Sequence, residues 1–475
     1  MAAHLTQNPH YTAASHIVIT LRAVGHQAFF AGGCVRDILL NLEPQDFDVA
    51  TSATPDIILN LFPNKKTLTV GAHFGVVLVC EPNDGEDEAI STEVATFRHD
   101  GAYTDGRRPD AVRFSTSPEE DVLRRDFTLN GLLLDPIAYD QTGDLDAATL
   151  DYVHGRQDLA GRLIRAIGPP ALRFAEDKLR MLRAVRFAAR LDFAIDPATA
   201  TAIRRHAGEI SHVSAERIRD ELTRILTEGH AHRGFELLYD LGLLAHILPE
   251  AVRLRGVAQP PEFHPEGDVW THTMLLLEQF PTCASPTLAW AALLHDIGKP
   301  ATYQPPNPAV PGDRIRFNGH VEAGVRIAET ILARLRFSND DAAQILALIK
   351  NHMRFGDILH MRASTLKRFL RLPRFEEHLA LHHLDASSAH GDLTLYHFAR
   401  AQFEAEPAPE HRPAPLLTGA DLIAAGYRPS PQFKPMLTLA EDAQLEGAAT
   451  TREQALALVQ SHFPLPEPAS STGSS

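Results

Sequence analysis

Hydrophobic positions change their rhythm along this chain. Through the first 145 residues they fall in short runs between turn residues, and 29–31, 47–50, 74–80, 91–96 and 111–114 read as strands among amphipathic helices. From about residue 170 the apolar positions settle to spacings of three and four, as in Leu179, Leu182 and Val185 or Ile218, Leu222 and Ile225. The pattern predicts an α+β chain: a small mixed α/β region at the N-terminus, then an almost purely helical remainder. Prolines at 305, 306, 308 and 311 predict a surface loop over 302–315. The Pro-rich stretch 405–415 reads as a linker and the last dozen residues as a disordered tail.

Composition narrows the picture only modestly. The 475 residues are 44% hydrophobic and 22% charged, which suits a soluble protein of two to four domains. Three cysteines, Cys34, Cys80 and Cys283, show no CxxC spacing, which speaks against disulfides or a thiolate zinc site. No signal peptide or membrane span is visible, so a cytoplasmic protein is expected. The net charge of −15 excludes a protein that is basic throughout. Residues 160–235, with 14 Lys/Arg against 9 Asp/Glu, carry a local excess that suits an RNA-binding stripe.

The chemistry concentrates first at Gly32-Gly33-Cys34-Val35-Arg36-Asp37, followed closely by Asp46-Phe47-Asp48. A strand running into paired glycines lets backbone N–H groups approach a phosphate, and Arg36 on the following helix can clamp it. Carboxylates at i and i+2 on a strand project to one side, and their mutual repulsion is relieved by a divalent cation. Glu93, on an alternating strand, is a third acid. Arg124-Arg125-Asp126-Phe127-Thr128-Leu129-Asn130 follows, then 176–186, which reads as one helix bearing Asp177, Arg180, Arg183 and Arg186 on one drifting face.

In this order, GGxVRD, DxD, RRDFTxN and EDxxRxxRAxRF resemble the class II tRNA nucleotidyltransferases, which add C, C and A to tRNA 3′ ends; that family also holds bacterial poly(A) polymerases and enzymes adding only CC or only A. The resemblance implies tRNA, CTP and ATP as partners, with neither DNA nor a membrane. It implies two Mg²⁺ ions on Asp46 and Asp48 with Glu93 nearby, the triphosphate on Gly33 and Arg36, and the nucleotide on Arg125, with Asp126 and Asn130 in support. Asp177 and Arg180 would read the base, aided by Arg183 and Arg186. The stretch 99–113 matches the family's flexible loop. Two departures stand out: Gly131 follows Asn130 where many relatives carry Ala, and Gly71-Ala72-His73-Phe74-Gly75 replaces the Gly-Arg-Arg/Lys-Phe segment of bacterial poly(A) polymerases, favouring the tRNA-specific branch.

A second dense signal is His295-Asp296-Ile297-Gly298-Lys299. With His272 before it and Asp385 after it, it resembles the HD-superfamily metal-dependent phosphohydrolases. His320 and His352 are possible extra ligands, as in two-metal versions. Mixed imidazole and carboxylate ligands suit a transition metal such as Mn²⁺, Ni²⁺ or Zn²⁺. The expected organisation is a nucleotidyltransferase head (1–145), a helical neck for base recognition and RNA binding (146–235), an HD body (236–404), the linker, and a helical tRNA-contacting piece (416–463). The alternatives are an A-only adding enzyme or poly(A) polymerase, or an HD phosphohydrolase whose first domain only binds nucleotide.

Overall fold

The computed structural model describes residues 5, 7–63, 66–69, 75–81, 89–101, 112–280, 284–405 and 414–465. Residues 70–74, most of the 99–113 stretch, Cys283, most of the expected linker and the tail from 466 lie outside the described residues.

A seven-stranded mixed sheet organises the N-terminal region. Its strands are β1 (Ala28–Ala31), β2 (Asp48–Thr51), β3 (Lys66–Thr69), β4 (Val76–Glu81), β5 (Ile90–Thr96), β8 (Leu132–Leu134) and β9 (Thr149–Asp151), while β6 (Arg98–Asp100) and β7 (Val112–Phe114) form a separate ribbon. The sheet order is β3-β4-β5-β2-β1-β8-β9. Every neighbouring pair is antiparallel except β2 and β5, which run parallel. β1 is buried on both faces. Phe29 and Ala31 pack with Ala50, Phe97 and Leu133, and Phe30 meets Tyr11 and Phe47 edge-on at 5.3 and 5.4 Å. Each such buried ring contributes about 1.5–3 kcal/mol, so Phe47 anchors the segment that carries the acid pair.

The sequence pattern does not predict β8 and β9. Leu132–Leu134 is an unbroken buried triplet, too short for a period of two to declare itself. A second correction concerns the acid pair. The strand begins at Asp48, so Asp46 lies just ahead of it, with Phe47 turned into the core between them.

Beyond residue 165 the regular elements among the described residues are all helices apart from the two-residue strand Ala194–Ile195. By packing, the chain divides into two compact units: Met1–Arg255 with Phe280–Ala289 and Thr330–Phe337, and Gly256–Gln279 with Trp290–Glu329 and Ser338–Ser475. The second unit has one apolar cluster around Phe355, Phe369 and Phe375 and another, near the C-terminus, around Leu422, Tyr427 and Met436. Among the described residues no helix is long and apolar enough to cross a membrane.

Candidate functional site

Register brings the three head carboxylates to one edge. Asp48 pairs with Ala31 across β1 and β2, and Val49 pairs with Val94 across β2 and β5. Asp48 and Glu93 therefore adjoin on the same face, with Asp46 two residues before Asp48. Burial, reinforced by the charges of Asp46 and Glu93 and opposed by Arg125, pushes the Asp48 carboxyl up to about 7. A partly buried Asp48 beside the exposed carboxylates of Asp46 and Glu93 is a donor set that a hard divalent ion fits. β1 runs into Gly32, whose φ of 77° an L side chain rarely adopts, and then into helix α1 (Gly33–Leu39).

A cavity of about 690 Å³ opens beside this edge, and Gly33, Arg36, Asp46, Asp48, Arg125, Asp126, Asp177, Arg180, Arg183 and Arg186 all line it. Glu93 does not; it lines a recess of about 180 Å³ shared with Asp48, Arg124 and Arg125. Arg36 is buried, its guanidinium donating to Asp37 (2.8 Å) and to Asn130 (2.9 Å). Arg125 donates to Asp121 at 2.9 Å. Asp126 accepts from Asn130, from the Phe127 N–H and from Arg183 at 2.8 Å. Burial opposes its ionisation, but the Arg183 charge and the Asn130 hydrogen bond hold its carboxyl at about 2.

The expected single helix over 176–186 is two. Helix α2 (Pro170–Glu176) ends, Asp177 is extended (φ −144°, ψ 108°), and α3 (Arg180–Arg190) begins. The break has one local cause and one distant one: the Leu179 N–H donates to the Asp177 carboxylate at 3.1 Å, and Arg217, forty residues on, clamps the same carboxylate with bonds of 3.1 and 2.7 Å. Asp177 thus leaves the threefold series and stands in the gap between two helices. Arg180 donates to Glu176 at 2.6 Å and to the Arg124 carbonyl at 3.1 Å. Arg186 pairs with Glu221 and Glu228 at 2.8 and 2.9 Å.

Arg217 and Glu221 are the residues that sequence reading passed over. They lie on α4 (Ala215–Thr227), whose apolar stripe was legible. The unread signal was the charged series Arg217, Glu221, Arg224, Glu228, spaced four, three and four along the flank of that stripe. Gly131 also finds its reason here: a Cβ there would lie 2.8 Å from Val153 Cγ2 and 3.1 Å from Val122 Cγ1.

The second site is built by α5 (Val269–Glu278), the turn after α6 (Pro286–Leu294), α7 (His320–Arg334), α8 (Asn339–Asn351) and α9 (Phe375–Ser388). His272 Nε2 lies 3.0 Å from Asp385 Oδ1, and His295 Nε2 lies 3.3 Å from Asp296 Oδ2 and 3.9 Å from Asp385 Oδ1. His320 and His352 approach Asp296 Oδ1 at 3.8 and 3.9 Å. Three groups of potential ligands result among the described residues: His272, His295 and Asp385; Asp296, His320 and His352; and, on the outer side of His272, His264 and Glu266 with His272 itself.

The ring orientations follow a rule. His295, His320 and His352 each place Nδ1 within 2.7–3.0 Å of the carbonyl three residues earlier, at Ala292, Phe317 and Ile349. A carbonyl only accepts, so Nδ1 carries the proton and Nε2 presents a lone pair. The Nε2 atoms of His272, His295, His320 and His352 are buried and make no hydrogen bond. Burial and the neighbouring His295 hold His352 down at about 4, while Lys299, at 2.6 Å, and His295 keep Asp296 ionised against burial. Burial, opposed by the Asp385 and Glu266 carboxylates, which raise it, leaves His272 at about 9 in the metal-free chain. Imidazole nitrogens and carboxylate oxygens converging in a buried place are the donor set of a divalent transition metal, whose binding would displace that proton. Gly298 permits the assembly, because a Cβ there would lie 2.1 Å from the His320 carbonyl oxygen. A cavity of about 830 Å³ opens onto Asp296, His320, His352 and Asp385.

Three family matches follow the chain in order. The poly(A) polymerase head domain matches residues 28–165, the probable RNA- and SrmB-binding site of polymerase A matches 192–254, and the HD domain matches 268–390. The nucleotidyltransferase and HD domains of these families use divalent metals. Among curated proteins, the CCA-adding enzyme of Geobacillus sp. (strain WCH70) is 42% identical over 231 residues, 49% of this chain and 53% of that protein. That of Oceanobacillus iheyensis is 44% identical over 230 residues, 48% of this chain and 53% of the relative. The chain thus spans about half the length of the curated relatives it matches. Among solved structures, the Bacillus stearothermophilus CCA-adding enzyme in complex with CTP aligns over 96% of this chain and 98% of its own, with TM-score 0.68 and 26% identity. The Thermotoga maritima CCA-adding enzyme complexed with tRNA shares the fold at TM-score 0.54 and 16% identity, over 97% of this chain and 98% of its own. In chain order, a poly(A) polymerase head domain, an RNA-binding segment and an HD domain thus match this chain, which is similar in sequence and in fold to CCA-adding enzymes.

Proposed function

We propose that this chain adds C, C and A to the 3′ end of tRNA from CTP and ATP without a nucleic-acid template. The observation that carries the reading is one cavity lined both by Asp46 and Asp48 and by Asp177 and Arg180. Asp46 and Asp48, with Glu93 adjoining, would hold two Mg²⁺ ions. Bound there, the ions supply Lewis-acid stabilisation of charge on the α-phosphate and activate the primer 3′-hydroxyl. Gly33 and Arg36 hold the triphosphate, and Arg125 the nucleotide. Asp126 fixes Arg183, and Asn130 fixes Arg36. Asp177 accepts from the exocyclic amine that cytosine and adenine share, while Arg180 donates to the adjacent ring nitrogen. Uracil and guanine present a carbonyl to Asp177 and are refused. The neck supplies basic side chains for the RNA, and the cytoplasm is the fitting compartment.

The HD body adds a metal-dependent phosphoesterase, with His272, His295, Asp296 and Asp385 as ligands and Mn²⁺, Ni²⁺ or Zn²⁺ as the ion. The two buried His/Asp groups support this second reading. Incubating the purified chain with tRNA lacking CCA, and with tRNA ending in CC, against each nucleotide singly tests the first. Two additions from CTP and one from ATP are expected. Addition of A alone, and only to the CC end, would assign the A-only activity instead.

A further inference from the structure

His272 breaks the rule that its fellow histidines obey. Its Nδ1 does not turn to a carbonyl three residues back; it lies 2.8 Å from Glu266 Oε1. The same oxygen stands 2.8 Å from His264 Nδ1, and the two rings meet edge-on at 5.0 Å. Glu266 is buried, with 6% of its side chain exposed, and its Oε2 is buried without a hydrogen-bond partner. Gly267, at φ 126°, turns the chain back so that Glu266 overhangs the first turns of α5.

We infer that Glu266 is a positioning residue for the HD metal centre, fixing the His272 ring through Nδ1 so that Nε2 faces the ion, with His264 holding the carboxylate in place. This rests on the reading of His272, His295, Asp296 and Asp385 as a metal site. A carboxylate only accepts, so His272 Nδ1 carries the proton and Nε2 is the nitrogen left to coordinate. Unlike the neutral carbonyls behind His295, His320 and His352, Glu266 brings a negative charge to the far edge of the ring. That charge strengthens the ring as a donor, and removing such a partner weakens metal affinity by about 10–100-fold. Glu266 touches neither substrate nor ion; it acts through His272.

The test is a Mn²⁺ titration of the full-length chain, following free Mn²⁺ by electron paramagnetic resonance. Asp48→Asn is the common background, to silence the head. Glu266→Gln keeps the shape of the side chain and removes its charge. It is expected to raise the Kd for Mn²⁺ by about 10–100-fold while the melting temperature of the chelator-treated protein stays at the parent's value. Glu266→Asp keeps the charge at a shorter reach and is expected to recover part of the loss. Equal Mn²⁺ affinity in parent and Glu266→Gln overturns the inference alone. A parent that takes up no Mn²⁺ overturns the underlying site reading and the inference together. Should Glu266→Gln fail to fold, Glu266→Asp decides: weakened Mn²⁺ binding in a folded protein supports the role, and unchanged binding removes it.

Discussion

Arg217 grips Asp177 through two hydrogen bonds of 3.1 and 2.7 Å, from a helix forty residues further along the chain. A bidentate guanidinium–carboxylate pair fixes a plane as well as a distance. The carboxylate proposed to read the base is thereby held still in the gap between two helices. Arg217→Ala is expected to leave the fold intact and to lower discrimination against UTP by about tenfold or more, the worth of one charge-assisted hydrogen bond. Arg217→Lys, which cannot reproduce the fork, recovers little. Misincorporation of each nucleotide into truncated tRNA measures this, and unchanged selectivity removes Arg217 from base reading.

Asp48 carries an opposite pair of expectations. Asp48→Asn is expected to abolish nucleotide addition by removing a donor from the proposed ion site. In chelator-treated protein the same substitution is expected to raise stability at pH 8. The sign follows from the raised carboxyl. Between the ordinary carboxylate range and about pH 7 the folded chain keeps a proton that the unfolded chain has released, so stability falls as pH rises through that window and stays low above it. Melting temperatures of parent and variant from pH 5 to 8 should diverge as pH increases. Parallel curves would count against a strained carboxylate cluster.

Gly131→Ala tests a departure from the family pattern. The Cβ would meet Val153, Val122 and Ile167 at 2.8–3.2 Å in a closed core. Overpacking of this kind destabilises by about 1–3 kcal/mol. Val153→Ala in the same chain should restore much of the loss, because it removes the nearest atom. Denaturant midpoints of the single and double variants provide the measurement.

His295→Ala is expected to remove phosphoesterase activity and to lower metal content in the second unit, while nucleotide addition persists at the parent's rate. Its ring stands 3.3 Å from Asp296 and 3.9 Å from Asp385, so its loss removes a donor from the group it forms with His272 and Asp385 and a neighbour from Asp296. Assaying both activities on one preparation decides the matter. Loss of addition as well would mean that the two centres do not act independently.

The reach of the sequence ends where local pattern ends. The glycine turn, the acid pair and the His-Asp doublet were legible because each is set by neighbours a few residues away, and strand and helix periods report the same short range. The mixed sheet followed by helices was readable on that ground. The break at Asp177 was not, because a helical period runs through 176–186 and only Arg217, arriving from another helix, and a side chain bonding its own backbone interrupt it. Nor was Glu266, since nothing in its immediate sequence says that a buried histidine ring will lie against it. The orientation of each imidazole, the separation of Glu93 from the main cavity and the lifted Asp48 carboxyl depend on register, burial and charges gathered from distant segments. Sequence alone determined which donors the chain owns; tertiary packing decided which way they point, because direction and desolvation exist only once the chain has closed around them.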